Sequence, residues 1–210
     1  MKAGACAALV LASGHGAGAQ EGPLPAGTYR LDPSHSSLRF SVSHLGFSDY
    51  QMSFDSFDAE LELDPADPGA ARLRVTVDPA SLDVPSPPEG FLAQLLGESW
   101  LDVVAYPEIT FVSDRVRPSG ENAAEVDGTL TLLGVARPVT LDVAFNGGYD
   151  AHPFEPNARV GFSAQTVFSR SDFGMSLGVP APGSTMGVGD EVRVEIETEF
   201  TGPALAQVKE

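Results

Sequence analysis

Strict alternation of apolar and polar residues limits what this chain can fold into, and Glu125–Phe145 carries the pattern most fully. Val126, Gly128, Leu130 and Leu132 share one face, with Asp127, Thr129 and Thr131 on the other. After a break at Gly134–Pro138, Val139, Leu141, Val143 and Phe145 alternate with Thr140, Asp142 and Ala144. Side chains along a strand point to opposite faces in turn, so this segment predicts two half-buried strands joined by a tight connection. Gly134 is expected to take positive φ in the turn, and Pro138 to open the second strand where no ladder bond is needed. Such a hairpin needs a cover over its apolar side, either other side chains or a ligand.

The same period recurs along the chain. It predicts strands at Thr28–Leu31, Ser37–His44, Tyr50–Leu63, Leu73–Val77, Ile109–Arg117, Ala124–Leu133, Val139–Tyr149, Arg159–Ser169 and Glu191–Thr201. Tyr50–Leu63 does not keep one phase, which predicts a bulge near Ser56. Asp32-Pro33-Ser34-His35-Ser36 reads as a turn, with proline at its second position and Asp32 as local acceptor. From Phe91 to Trp100 the spacing changes to three and four: Phe91, Leu92, Leu95, Leu96 and Trp100 predict a short amphipathic helix weakened at Gly97. Two to three turns of helix do not stand alone in water, so it must dock on the sheet. Phe173–Gly189, rich in glycine and proline, reads as a long loop, and loops of that length are usually functional or mobile.

Few strands are apolar on both faces, which argues against a buried parallel sheet. One apolar face on each of about eight antiparallel strands suits a sandwich or a closed barrel. The interior of an eight-stranded barrel is either just filled by side chains or just wide enough for one small ligand. Alternation does not measure volume, so both remain open at this point.

Acids outnumber bases 29 to 12, a net charge of −17, so nucleic-acid phosphates and anionic lipid surfaces are excluded as electrostatic partners. Residues 1–19 combine one Lys, a short apolar run from Ala5 to Ala12 and a small-residue end, Ala17-Gly18-Ala19. They read as a cleaved secretory signal, followed by a leader at 20–27, one domain at 28–202 and a tail at 203–210. No segment has the length of a membrane span. Cys6 is the single cysteine, so the mature chain has neither a disulfide nor a thiolate metal site.

Tyr29–Phe40, Tyr106–Phe111, Gly128–Pro138, Ser169–Met175 and Val188–Val192 together resemble the YceI family, secreted lipocalin-like barrels that bind polyisoprenoid or other long-chain lipids. The likeness is carried by Tyr29, Asp32, His35, Ser36 and Phe40 with His44 beyond them, and by Tyr106-Pro107-Glu108-Ile109-Thr110-Phe111. It continues in Gly128–Leu132 with Gly134, Val135 and Pro138, in Ser169–Met175, and in Val188–Val192. The resemblance implies an all-β, eight-stranded antiparallel lipocalin-like barrel with one short helix at its mouth. It implies a periplasmic, non-enzymatic carrier or scavenger whose ligand is an isoprenoid quinone or similar lipid, with no other cofactor. For some relatives it further implies a membrane cytochrome of the b561 type as partner. It leaves monomer and homodimer open.

On this reading the lumen is lined by Phe40, Val42, Phe54, Val75, Phe111, Leu130, Val143, Phe162, Val194 and Ile196, with Leu92, Leu96 and Phe173 at the mouth. Ala59, Gly128 and Ala164 are expected to leave room among them. His44 ends a strand on the apolar phase, either placed to meet a quinone carbonyl or a headgroup or satisfied by backbone near the rim, whereas His35 is expected to fix its turn. Arg170 and Asp172 are expected to pair and shape the loop. A solid barrel serving as an envelope protein-interaction or stress-response module is the competing reading. Catalysis is disfavoured: there is no G-x-S-x-G, no H-E-x-x-H and no phosphate loop, and only His35, His44 and His152 follow the leader.

Overall fold

The computed structural model describes residues 23–152 and 154–204. The expected signal at 1–19 lies outside the described residues, as do 20–22 of the leader and 205–210 of the tail. The strands are β1 (Gly27–Leu31), β2 (Ser37–His44), β3 (Ser48–Phe54), β4 (Phe57–Leu63), β5 (Arg72–Val77) and β6 (Leu82–Asp83). The helix α1 (Phe91–Leu96) comes next. It is followed by β7 (Ile109–Gly120), β8 (Ala123–Leu132), β9 (Val135–Tyr149), β10 (Asn157–Ser169) and β11 (Val188–Ala204).

The sheet is antiparallel and runs β1-β4-β5-β7-β8-β9-β10-β11, closing where Arg30 and Leu31 of β1 meet Thr201 and Phe200 of β11. This is an all-β, closed eight-stranded barrel, not a sandwich. The remaining strands prolong three staves: β2 continues β1 along β11, β3 pairs with β2, and β6 pairs with β3. Among the described residues, no further strand pairs beyond β6. There Leu82 and Val84 share a cluster with Leu95 of α1, and Phe91, Trp100 and Ile109 pack against it.

Each interruption has a local cause. Between β1 and β2, Pro33 starts a short 3-10 turn and the Asp32 carboxylate accepts from the Ser34 amide at 3.0 Å. The irregularity expected near Ser56 is the Asp55–Ser56 break between β3 and β4. There the Asp55 amide donates to Ser81 O at 3.1 Å and the Asp78 amide to Ser56 O at 3.0 Å, so one kink satisfies its backbone against another. The β8–β9 turn is two residues, with φ of 51° at Leu133 and 70° at Gly134, the geometry that suits a tight hairpin. The break is therefore shorter than expected. Pro138 lies inside β9, opposite Thr129, and not at its start. Its missing N–H is tolerated because the β10 ladder reaches β9 only from Asp142 onward.

The helix also ends earlier than its spacing suggests. Gly97 takes extended backbone after Leu96, and Trp100 follows in a turn. Among the described residues, no helix is long and apolar enough to cross a membrane.

Candidate functional site: the barrel lumen

The inward faces of the staves leave space. One cavity of about 180 Å³ occupies the end capped by α1 and is lined by Phe40, Val42, Phe54, Phe111, Leu130 and Val194, among others. A second, of about 380 Å³, occupies the opposite end, bounded by Leu61, Val143, Phe162 and Phe200 and by the Pro118–Ala123 turn. Leu38, Val75, Leu141 and Ile196 line both. The lumen is thus two chambers meeting at a waist of four aliphatic side chains.

Ten of the fourteen residues expected at the ligand line one chamber or the other. Phe40, Val42, Phe54, Val75, Phe111, Leu130, Val194 and Ile196 line the first; Val143 and Phe162 line the second. Phe40 stacks on Phe54 with ring centres 5.1 Å apart, and Phe145, Phe162 and Phe200 form a chain of tilted and edge contacts. Ala59 and Ala164 do border the second chamber. Gly128 does not leave room: a Cβ there would sit 2.4 Å from Phe111 Cζ, because the phenyl ring already fills the space.

Four expected residues lie elsewhere. His44 is exposed, since β2 has passed beyond the rim by the time it turns at Leu45–Gly46, and phase alone cannot tell wall from overhang. Leu92 and Leu96 are half-buried on the flanks of α1 and pack in the cap cluster; Leu95, between them, is the helix residue that reaches the lumen. Phe173 is 2% exposed but is folded into the wall by the Arg170–Phe173 turn, edge-on to Phe168 at 5.3 Å, and lines neither chamber. Leu38, Leu132 and Leu141 share the phase of residues already named and were legible on that ground. Trp100 was expected as the last residue of the helix's apolar stripe and reaches the chamber from beyond the helix end; Leu101, beside it, carried no such signal. Leu24, from the leader, borders the second chamber, and Tyr29 ties the same segment down by donating to Pro25 O at 2.7 Å.

Arg170 is the buried charge of the wall, 2% exposed. It does not pair with Asp172, as the sequence suggested. Its Nε, Nη1 and Nη2 donate to the carbonyls of Gly189, Met175 and Val188 at 2.9, 2.7 and 2.9 Å, and its guanidinium lies 5.3 Å from the Trp100 ring centre. Burial pushes the guanidinium below its ordinary range, while Asp190 opposes that shift. The loop that Arg170 shapes is therefore held by a cation on carbonyl dipoles.

A second polar cluster sits on the outside of the barrel. Arg159 of β10 contacts Asp32 at 2.7 Å, Glu199 at 2.6 Å and Glu155 at 3.0 Å, and His35 Nδ1 lies 2.9 Å from Asp32 Oδ2. Asp32, His35 and Glu199 have metal-like spacing, but Arg159 Nη1 already occupies the oxygens such an ion would need. His35 fixes its turn, as expected. Hydrogen bonds from Ser34, His35 and Arg159 hold the Asp32 carboxyl far below the usual range, and Arg159 lowers Glu155 likewise. Carboxyls depressed in the folded state contribute stability above their unfolded values, near pH 4, and lose it as pH falls through the folded values. Arg159→Gln is expected to cost about 2–3 kcal/mol in urea unfolding at pH 7, a gap that narrows steadily below about pH 4 as the wild type loses the same stabilisation.

The comparisons agree with this geometry. A family model described as "YceI-like domain" matches residues 29–200. A UPF0312 protein of Pseudomonas putida (strain W619) is 36% identical over 167 residues, 78% of this chain and 82% of that protein. The crystal structure of Burkholderia cenocepacia BcnA superposes with a TM-score of 0.68 at 27% identity, covering 80% of this chain and 98% of that one. A polyisoprenoid binding domain from Saccharophagus degradans, implicated in plant cell wall breakdown, shares the fold at a TM-score of 0.61 and 15% identity, over 83% of this chain and 98% of its own. With a family model spanning the closed barrel from β1 to β11, this chain belongs to the YceI-like domain family.

Proposed function

We propose that the protein is a non-enzymatic binding protein of the periplasm that sequesters or carries a long-chain apolar molecule, an isoprenoid quinone or related polyisoprenoid, in its barrel. The observation that carries this is the lumen: two chambers of about 180 and 380 Å³ walled chiefly by aliphatic and aromatic side chains. Apolar surface gains about 25 cal/mol per Å² on leaving water, so a flexible hydrocarbon chain is the occupant that such walls favour. The shared fold with a polyisoprenoid binding domain supports the same ligand class. A cleaved signal at residues 1–19 would deliver the chain to the periplasm. A solid interaction module is disfavoured by the volume of the lumen.

Organic extraction of the purified protein, followed by mass spectrometry, tests the reading. The expected result is one lipid species near one equivalent per chain. An empty extract, together with no binding of prenyl lipid by the delipidated protein, would remove it.

A further inference from the structure

The barrel wall is not equally sealed all round. Pairing between β9 and β10 runs from Arg159 opposite Tyr149 to Gln165 opposite Asp142 and stops there, although β9 begins at Val135 and β10 continues to Ser169. Neither strand frays. Over the same lengths β9 stays paired with β8 as far as Val135 opposite Leu132, and β10 with β11 as far as Ser169 opposite Glu191. Two intact strands therefore diverge, and the edges they turn to each other lack the ladder that seals a barrel.

Among the described residues, two side-chain bonds span this seam. Thr166 Oγ1 donates to Thr140 O at 2.7 Å, and Arg137 Nε to Asp172 O at 3.1 Å. An outer groove follows the seam, bordered by Arg137, Asp142, Gln165 and Arg193 among others. Val139, Thr166, Phe168 and Val194 border both this groove and the α1-capped chamber, so they form the partition between outside and lumen. Phe168 is held there edge-on to Phe173.

The seam also starts at the waist. Leu141, which lines both chambers, is the first residue of β9 past the last pair. Segments held by few backbone hydrogen bonds open locally at far smaller cost than the fold as a whole. Other routes are harder. Lifting α1 would bare the cluster it shares with Leu82, Val84 and Trp100, and a chain coming from the far end must thread the waist to fill both chambers.

We infer that the β9–β10 seam is a lateral portal through which a long hydrocarbon chain enters sideways, with Phe168 as the side chain that moves aside and each chamber taking one end of the chain. This rests on the reading of the lumen as a lipid site and adds the route by which that site is filled.

Thr140 and Val167 would stand opposite each other if the register of the ladder ran on; both are exposed, and neither lines a chamber. In a Cys6→Ser background, Thr140→Cys with Val167→Cys is joined as a disulfide or, where the sulfurs stand too far apart, through a short bis-maleimide. Trp100, the single tryptophan, lines the α1-capped chamber, so its quenching by a dibrominated long-chain alcohol follows entry in stopped flow. Relative to the unlinked variant, the staple is expected to slow entry and release alike, by about tenfold, and to keep affinity within about twofold, because the barrier rises while the lining is unchanged. Phe168→Ala is expected to speed entry. A stapled protein that loads as fast as the unlinked one overturns the portal and leaves the lumen reading intact. Entry no faster in Phe168→Ala removes that side chain from the portal. Wild-type protein in which the alcohol quenches nothing and does not bind overturns both readings.

Discussion

Arg170→Met is expected to lower the free energy of unfolding by about 3 kcal/mol, measured by urea denaturation. The substitution keeps an apolar side chain of useful length but deprives the carbonyls of Met175, Val188 and Gly189 of their donor. Each bond to a charged donor is worth about 1.5–3 kcal/mol, and relief from burying the charge offsets part of the sum. The loss is expected to be local first. Hydrogen exchange at Val188, whose amide donates to Gly178 O at 2.8 Å, should quicken before exchange in the β7–β8 ladder does. Arg170→Lys should recover little, because a point charge on a flexible stem cannot reach three carbonyls in a fixed fork. A variant as stable as wild type would mean that the loop from Gly174 to Gly187 holds itself in place.

The second large effect concerns the waist. Val75→Phe is expected to leave short chains, which fit within one chamber, bound within about twofold of wild type, by the bookkeeping of burial alone. Chains long enough to cross into the far chamber should lose on the order of a hundredfold. A tail denied about four methylenes of burial forfeits roughly 3 kcal/mol, at about 0.8 kcal/mol each. Val75 is the natural place for the substitution. It lines both chambers and sits opposite Ala59 on one neighbouring strand and Phe111 on the other, so a ring there must project into the passage. Titrating a series of saturated alcohols of increasing length against both proteins reads this directly. A uniform shift across the series would show that the two chambers are not used by one ligand.

Much of this architecture is legible in the sequence. Period-two alternation assigns each residue of a strand to a face, and a one-residue slip would turn the whole apolar set outward, so the pattern is strongly constrained. That is why Phe40, Val42, Phe111, Leu130, Val143, Val194 and Ile196 all face inward as expected. The same logic misplaced His44, because alternation continues past the rim after there is no lumen left to face. It also assigned Leu92 and Leu96 to the ligand, where the helix presents Leu95. On a helix whose docking angle is unknown, spacing identifies the apolar stripe but not which of its residues points deepest.

The sequence by itself determined most of the strands, their inward faces, a tight connection at Gly134 and the local turn at Asp32, since all of these depend on residues a few positions apart. Tertiary structure alone decided the rest. Arg159 meets an Asp32 that lies 127 residues away. Arg170 takes carbonyls where a nearby Asp172 was available. Gly128 yields its space to Phe111, and four aliphatic side chains from four strands divide the lumen in two. Direction along a strand follows from local backbone geometry; partnership and volume arise only when distant staves close around a common axis.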